Sequence, residues 1–410
     1  VDRDPPPRSG GLPSPNRKRR PLRTAGAVLL LALVLLAAGT CALPRPGLPH
    51  TRLTRDASGA LLATASTRYA AGPLRPLFLG DGYRRAWATP IRAEVLDLRS
   101  YAGGLTPVRR GGGNQTRSLH LRGADGRRYA FRSTDKDQAT GMSALERATI
   151  GRVRQDQIGA LHPGAALVAA AIAEAAGVPH AAPRLVVMPD DPALGEHRAD
   201  FAGLLGIVEE YPNPGGTGAF AAADSILDTE ELAAHRQKHP AEPVDARAFL
   251  AARLLDVYLG DWDRHEGQWR WARVARDGAP RWIPVPRDRD YAMVDYRGIL
   301  PAMARLVDPK VVRFDDAYRD LPGLMVAARA LDRAHLCALP AAAWDSAALA
   351  LRDSLSDPAL AAALRRLPPE YHRAGAADLS RTLRQRRDRL PAMSRRYRAL
   401  LHADGGCGGR

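Results

Sequence analysis

Two neighbouring stretches, Gly260-Asp261-Trp262-Asp263-Arg264-His265-Glu266-Gly267-Gln268-Trp269-Arg270-Trp271 and Pro286-Arg287-Asp288-Arg289-Asp290, crowd acids, a histidine and an amide together. Before them, Asp245 reads as the N-cap of a helix over 246–259. Phe249, Leu250, Leu254, Val257 and Tyr258 fall on one face of it, and Gly260 ends it. Between the two stretches, a β-hairpin is expected to turn across Asp277-Gly278. Taken singly, Asp261, Asp263, Asp288 and Asp290 read as turn and cap residues paired with Arg264, Arg287 and Arg289. Together, after a buried helix and around a hairpin, they read as a functional constellation. Trp262, Trp269, Trp271 and Trp282 are expected in the core or across the hairpin rather than as a platform for stacking bases.

Upstream, Gly103-Gly104-Leu105-Thr106-Pro107-Val108 and Gly111-Gly112-Gly113 lead into a run at 118–122, a turn at Asp125-Gly126, and Tyr129-Ala130-Phe131-Arg132. That is a glycine-rich loop followed by a hairpin. Three glycines alone are more often a flexible connector. Ahead of a hairpin, they allow backbone N–H groups to approach a phosphate, because no Cβ intervenes. Helix is expected over 140–177, best at 165–176, and stopped by Gly177-Val178-Pro179. Residues 184–188 and 204–208 read as buried strands, the second running into the turn-rich connector Glu209-Glu210-Tyr211-Pro212. The segment 44–100 reads as partly linker with short helices, and the chain beyond Leu300 as mostly helical.

The order is thus glycine loop, hairpin, helix, two strands, connector, helix, Asp-Arg-His loop, and a hairpin ending in Asp288 and Asp290. This resembles the order of parts in a kinase-like fold. Asp263-Arg264-His265, with Gln268 as a polar side chain five positions after the Asp, resembles the loop of atypical kinases of the HipA, phosphatidylinositol 3-/4-kinase and secretory-pathway types. With Gln155-Asp156-Gln157-Ile158, His162-Pro163 and Leu367-Pro368-Pro369-Glu370, the chain is similar to a family of bacterial exported proteins over about residues 80–400. The resemblance implies an α+β, two-lobed protein-kinase-like fold, with a small β-rich N-lobe at 101–212 and a helical C-lobe at 213–335. It also implies ATP or another nucleotide as donor and Mg²⁺ or Mn²⁺ as cofactor.

Carried over residue by residue, Asp263 is the catalytic aspartate and His265 supports its loop. Gln268 stands where relatives place an Asn metal ligand. The second metal ligand is Asp288 or Asp290, with Asp288 preferred and both expected at the site. Gly111, Gly112 and Gly113 cradle phosphate, and Arg132 or Lys136 pairs with it. Asp156, Gln157 or Glu174 is the partner of that cation, and Glu209 and Tyr211 belong to the nucleotide site. Gln for Asn at 268 and Arg for Lys at 132 depart from the family pattern and leave open a fold that has lost catalysis.

The formal charge of +16, from 60 Lys+Arg and 44 Asp+Glu, sits mainly at the ends. Residues 1–24 carry seven basic and two acidic side chains and residues 361–410 twelve and four, so the middle is near neutral. A uniformly basic nucleic-acid coat is excluded, and no nucleic-acid partner is expected. With 45% hydrophobic and 25% charged residues the chain is not a disordered one. Lys18, Lys136, Lys238 and Lys310 are its only amines apart from the terminus. Arg17-Lys18-Arg19-Arg20 precedes an uncharged apolar run at 25–43, long enough to span a bilayer with 1–24 cytoplasmic. The expectation is a single-pass inner-membrane anchor with an extracytoplasmic body, followed by a cleaved signal peptide and then a lipoprotein at Cys41. Cys41, Cys337 and Cys407, odd in number and far apart, imply no disulfide framework. In the basic C-terminal extension, 336–410, Leu379, Leu383, Leu390, Met393, Tyr397 and Leu401 form an apolar stripe. Arginines fill the rest, as a solvated face packed on the body or as a contact with anionic lipid.

Three functions are weighed on this basis. The first is a membrane-anchored extracytoplasmic kinase-like phosphotransferase, moving phosphoryl from a nucleotide to a hydroxyl of a protein, lipid or glycan. ATP is scarce outside the bacterial cytoplasm, so the donor is unusual, the host differs or catalysis is lost. The second, favoured by Gln268 and Arg132, is a non-catalytic pseudokinase-type scaffold. The third is a metal-dependent hydrolase built from Asp261, Asp263, His265 and Asp288.

Overall fold

A central helix, Ala246–Leu259, forms with the expected bounds. Asp245 accepts the N–H of Ala248 at 2.9 Å, and Gly260 closes the helix with φ +69, where a Cβ would meet Phe314 at 2.8 Å. Besides Phe249, Leu250, Leu254 and Val257 it buries Arg253 and Asp256, so from Ala252 onward it is enclosed all round rather than amphipathic. The computed structural model describes residues 43–403 and Cys407, except 73, 112–114 and 277.

Strands β1 (Arg52–Arg55), β2 (Leu61–Thr64) and β3 (Ile91–Arg92) make a small antiparallel sheet. The main sheet is built from β4 (Glu94–Val95), β5 (Leu105–Arg110), β6 (Thr116–Gly123), β7 (Arg128–Lys136), β8 (Arg184–Val187) and β9 (Leu205–Glu210). Its order is β4-β8-β9-β7-β6-β5, antiparallel except where β4 lies beside β8. A third sheet holds β10 (Ser225–Leu227), β11 (Trp269–Arg276) and β12 (Ala279–Pro286), the last two forming the expected hairpin. The architecture is mixed α+β, as expected. The two-residue period of β7 sends Tyr129 and Phe131 into an apolar core with Leu119, Leu121 and Val208. Arg128, Ala130 and Arg132 occupy the other face, which looks onto the site.

Several expectations are corrected. The helix over 140–177 is three pieces, Ala144–Thr149, Gly151–Asp156 and Ala165–Ala175. Pro163 has no N–H to continue the ladder, and His162 Nδ1 takes the Gly164 N–H at 3.0 Å. His162 is structural, packed edge-on to Tyr83 and Tyr371 and pushed down to about 4 by burial. The segment 44–100 is integral rather than linker: β4 joins the main sheet, and Tyr69, Trp87 and Ile91 enter the same core as the central helix. The C-terminal arginines are not all solvated. Two helices, Pro369–Asp388 and Leu390–Ala403, bury Tyr371, Leu383 and Tyr397 in that core together with Arg386. Arg386 donates to the carbonyls of Val257 and Tyr258 at 2.7 and 2.8 Å, closing the C-terminus of the central helix. Cys337 and Cys407 form a disulfide across 70 residues, because distance along the chain does not limit distance in the fold. Residues 25–42 of the expected membrane span lie outside the described residues. Among those described, no single helix is long and apolar enough to cross a membrane.

Candidate functional site

Separate segments of the chain meet at one cleft of about 840 Å³. Lys136 comes from the end of β7, Asp263, His265 and Gln268 from the loop after the central helix, and Asp288 and Asp290 from the loop after β12. A smaller chamber beside it is lined by Arg132, Lys136, His162, Glu209, Asp288 and Asp290.

The loop after the central helix is built around buried charge. Asp256, inside that helix, faces Arg253 at 3.0 Å, Arg264 at 3.3 Å and Arg289 at 2.9 Å. Burial would raise its carboxyl, but the three guanidiniums hold it below the ordinary range. Arg264 also donates to the carbonyls of Arg287 at 2.7 Å and Gln268 at 3.3 Å, tying the 261–268 loop to the exit of β12. Asp261 accepts the Asp263 N–H at 3.1 Å and is fully buried. Burial lifts it to about 7, with Arg264 opposing and Asp256 adding to the rise. Asp263 is left 22% exposed, and the 55% exposed His265 has Nε2 4.0 Å from its carboxylate. His265 Nδ1 accepts the Gly267 N–H at 3.1 Å, so the ring shapes the turn that presents Gln268.

Across the cleft, Lys136 is ion-paired with Asp290 and stands 4.3 Å over the Tyr291 ring. Burial would lower the ammonium, but Asp290 and Tyr291 hold it above its ordinary value. Asp290 is itself raised to about 6 by burial, which the Lys136 charge only partly offsets. Asp288 differs: burial raises it, but Arg132 and Lys136 outweigh burial and keep it below the usual range. Its backbone is left-handed, with φ +54, a conformation Asp tolerates better than most residues. Asp288 and Gln268 present hard oxygen donors to the same cleft, a pair that could hold a divalent cation completed by phosphate oxygens. Among the described residues, no three His, Cys, Asp or Glu side chains group as a metal site by themselves.

The other expected residues are distributed unevenly. Arg132 is held by Glu209 at 2.5 Å, with its Nε 3.8 Å from Asp288, so Lys136 rather than Arg132 faces the large cleft. Asp156 points away: its carboxylate is consumed by Arg84 and Arg75. Its neighbour Gln155 reaches the β7 end instead, donating to the Lys136 carbonyl at 2.8 Å. Glu174 is on the surface near Arg366. Tyr211 lies outside the cleft, among arginines. Gly111 donates to the Ser118 carbonyl at 2.8 Å, and a Cβ there would strike Ser118, so glycine is needed to enter the β5–β6 connection. Gly112 and Gly113 lie outside the described residues. Asp261 turns from the cleft toward Arg264, which removes one ligand of the hydrolase arrangement. Trp269, Trp271 and Trp282 are fully buried, as expected, whereas Trp262 lines the cleft and packs edge-on to Tyr291. Tyr291 and Gln138 also line the cleft without having been singled out. For Tyr291, the available signal was its place directly after Asp290.

No family model matches the chain, and no curated protein matches it. Among solved structures it is similar to the Helicobacter pylori proinflammatory kinase CtkA, at 11% identity, covering 72% of this chain and 95% of that one, with a TM-score of 0.38. It is also similar to the HipA, HipB and operator DNA complex of the Shewanella oneidensis MR-1 toxin–antitoxin system, at 12% identity, covering 85% and 96%, with a TM-score of 0.36. Both likenesses are too distant to fix the chemistry, which rests on the residues themselves.

Proposed function

We propose that the protein is a kinase-like phosphotransferase that moves phosphoryl from a nucleotide to a hydroxyl acceptor. The observation that carries this reading is the joint presence of Lys136, Asp263, Gln268, Asp288 and Asp290 in one cleft, delivered by segments far apart in sequence. In this reading Asp263 orients the acceptor hydroxyl and takes its proton, while Asp261 fixes the Asp263 backbone. Lys136 would leave Asp290 to hold a phosphate oxygen, and Asp288 with Gln268 would hold Mg²⁺ or Mn²⁺. When bound, the cation would neutralise phosphate charge. The buried network from Asp256 through Arg264 and Arg289 keeps the loops in register.

Transfer of the ATP γ-phosphoryl to water or a model alcohol tests it. Asp263→Asn is expected to lower the rate about 100-fold or more while nucleotide affinity stays within about threefold. Unchanged turnover in Asp263→Asn contradicts the assignment. A pseudokinase reading is favoured by one observation, that both Lys136 and Arg132 are already ion-paired. It predicts binding without turnover in the wild type. We place the body outside the cytoplasm behind a single-pass inner-membrane anchor. The basic cluster beside the 25–43 run and the Cys337–Cys407 disulfide, of a kind that persists in oxidising compartments, support that placement.

A further inference from the structure

The face of the main sheet that carries Arg132 and Glu209 continues to Arg128, at the start of β7, and to Tyr211, just past the end of β9. The guanidinium carbons of Arg287, Arg128 and Arg270 lie 4.3, 5.3 and 5.9 Å from the centre of the Tyr211 ring. Arg270 donates to the Tyr211 hydroxyl at 3.0 Å and Arg287 at 3.4 Å. Among the described residues none of these three arginines is ion-paired with a carboxylate. The acid that acts on Arg287, Glu209, is occupied by Arg132. Arg287 Nε is buried with no hydrogen-bond partner. Burial would raise the Tyr211 hydroxyl, but Arg287 and Arg270 pull it below its ordinary value. Three cations around one ring, with a buried N–H unsatisfied, form a positive cluster that lacks its counter-charge.

We infer that Arg128, Arg270 and Arg287, gathered around Tyr211, form an oxyanion subsite for a phosphate-class group one residue removed from Asp288. Its role rests on the phosphotransferase reading: it holds the non-transferred, anionic end of a polyphosphate-bearing ligand whose reacting end lies at Lys136. Binding itself needs neither metal nor turnover, so the two readings fail separately.

The test is calorimetric titration of the 410-residue chain with inorganic tripolyphosphate, in chelator and at low salt. The combined Arg128→Gln and Arg270→Gln variant is expected to bind about 10-fold or more weakly, with a shallower salt dependence. Arg128 is exposed, so Arg128→Gln alone leaves folding intact and is expected to weaken binding about threefold. Arg365→Gln, an exposed arginine outside the site, is expected to stay within about threefold of wild type. Wild-type affinity in the arginine variants, no binding by the wild type, or an equal loss in Arg365→Gln would overturn the subsite. Loss of transfer in Asp263→Asn leaves this titration unchanged.

Discussion

Asp261 and Asp263 are two residues apart and do different work, which their spacing in the sequence conceals. Asp263 reaches the cleft, whereas Asp261 is buried beneath it as the acceptor of its neighbour's N–H. The folded pKa of Asp261, about 7, lies above that of an unfolded aspartate. Its contribution to stability is therefore full below roughly pH 4 and is lost as pH rises through about 7. Asp261→Asn keeps the acceptor oxygen and removes the titration. It is expected to match the wild type near pH 4 and to exceed it by about 2 kcal/mol near pH 8, read by urea denaturation. An equal difference at both pH values contradicts the buried-carboxyl account. The sequence pointed to Asp261, Asp263, Asp288 and Asp290 as a group from their place after a buried helix and around a hairpin, and to Gln268 through the family resemblance. It left Asp156, Gln157 and Glu174 open as the partner of the β7 cation, because one helical step of 100° decides that Asp156 meets Arg84 while Gln157 lines the cleft.

The central helix shows how far local rules carry. Its cap, its apolar spacing and its terminal glycine were legible from 245–260 alone, and the structure keeps those bounds. What closes it was not legible: Arg386, 128 residues beyond Tyr258, supplies donors to its last carbonyls and stacks 3.9 Å over Tyr318. A long-range contact of this kind leaves no periodicity at either end. Arg386→Met is expected to leave buried carbonyls unpaired and to cost about 3 kcal/mol, measured by denaturant unfolding. Arg386→Lys should recover less than half, since one ammonium cannot reproduce the guanidinium fork. A neutral effect of Arg386→Met would show that the carbonyls find other partners. The broken 140–177 region failed for the opposite reason, because a high helical propensity on either side masked the interruption at His162-Pro163.

For the whole molecule, segments expected to be peripheral prove to be walls of the core. The leading segment completes the main sheet, and the basic C-terminal helices bury Tyr371, Leu383 and Tyr397 against the helix that presents the site. The charge at the C-terminus is thus partly structural in the buried Arg386, while Arg387 with Asp357 and Arg395 with Asp345 are surface ion pairs. Closing 70 residues, the Cys337–Cys407 bond is expected to stabilise the fold by about 4 kcal/mol through the unfolded state. Reduction, or Cys337→Ser, should lower the unfolding midpoint accordingly, and an unmoved midpoint would argue against the pairing. The central claim is that one cleft holds a nucleotide through Lys136 and a divalent cation through Asp288. Its most direct test is the affinity of ATP for the wild type and Asp288→Ala, with and without Mg²⁺, by calorimetry. Mg²⁺ is expected to tighten wild-type binding about 10-fold or more, and Asp288→Ala to abolish that gain. Equal affinity with and without Mg²⁺, or the same gain in Asp288→Ala, would contradict it.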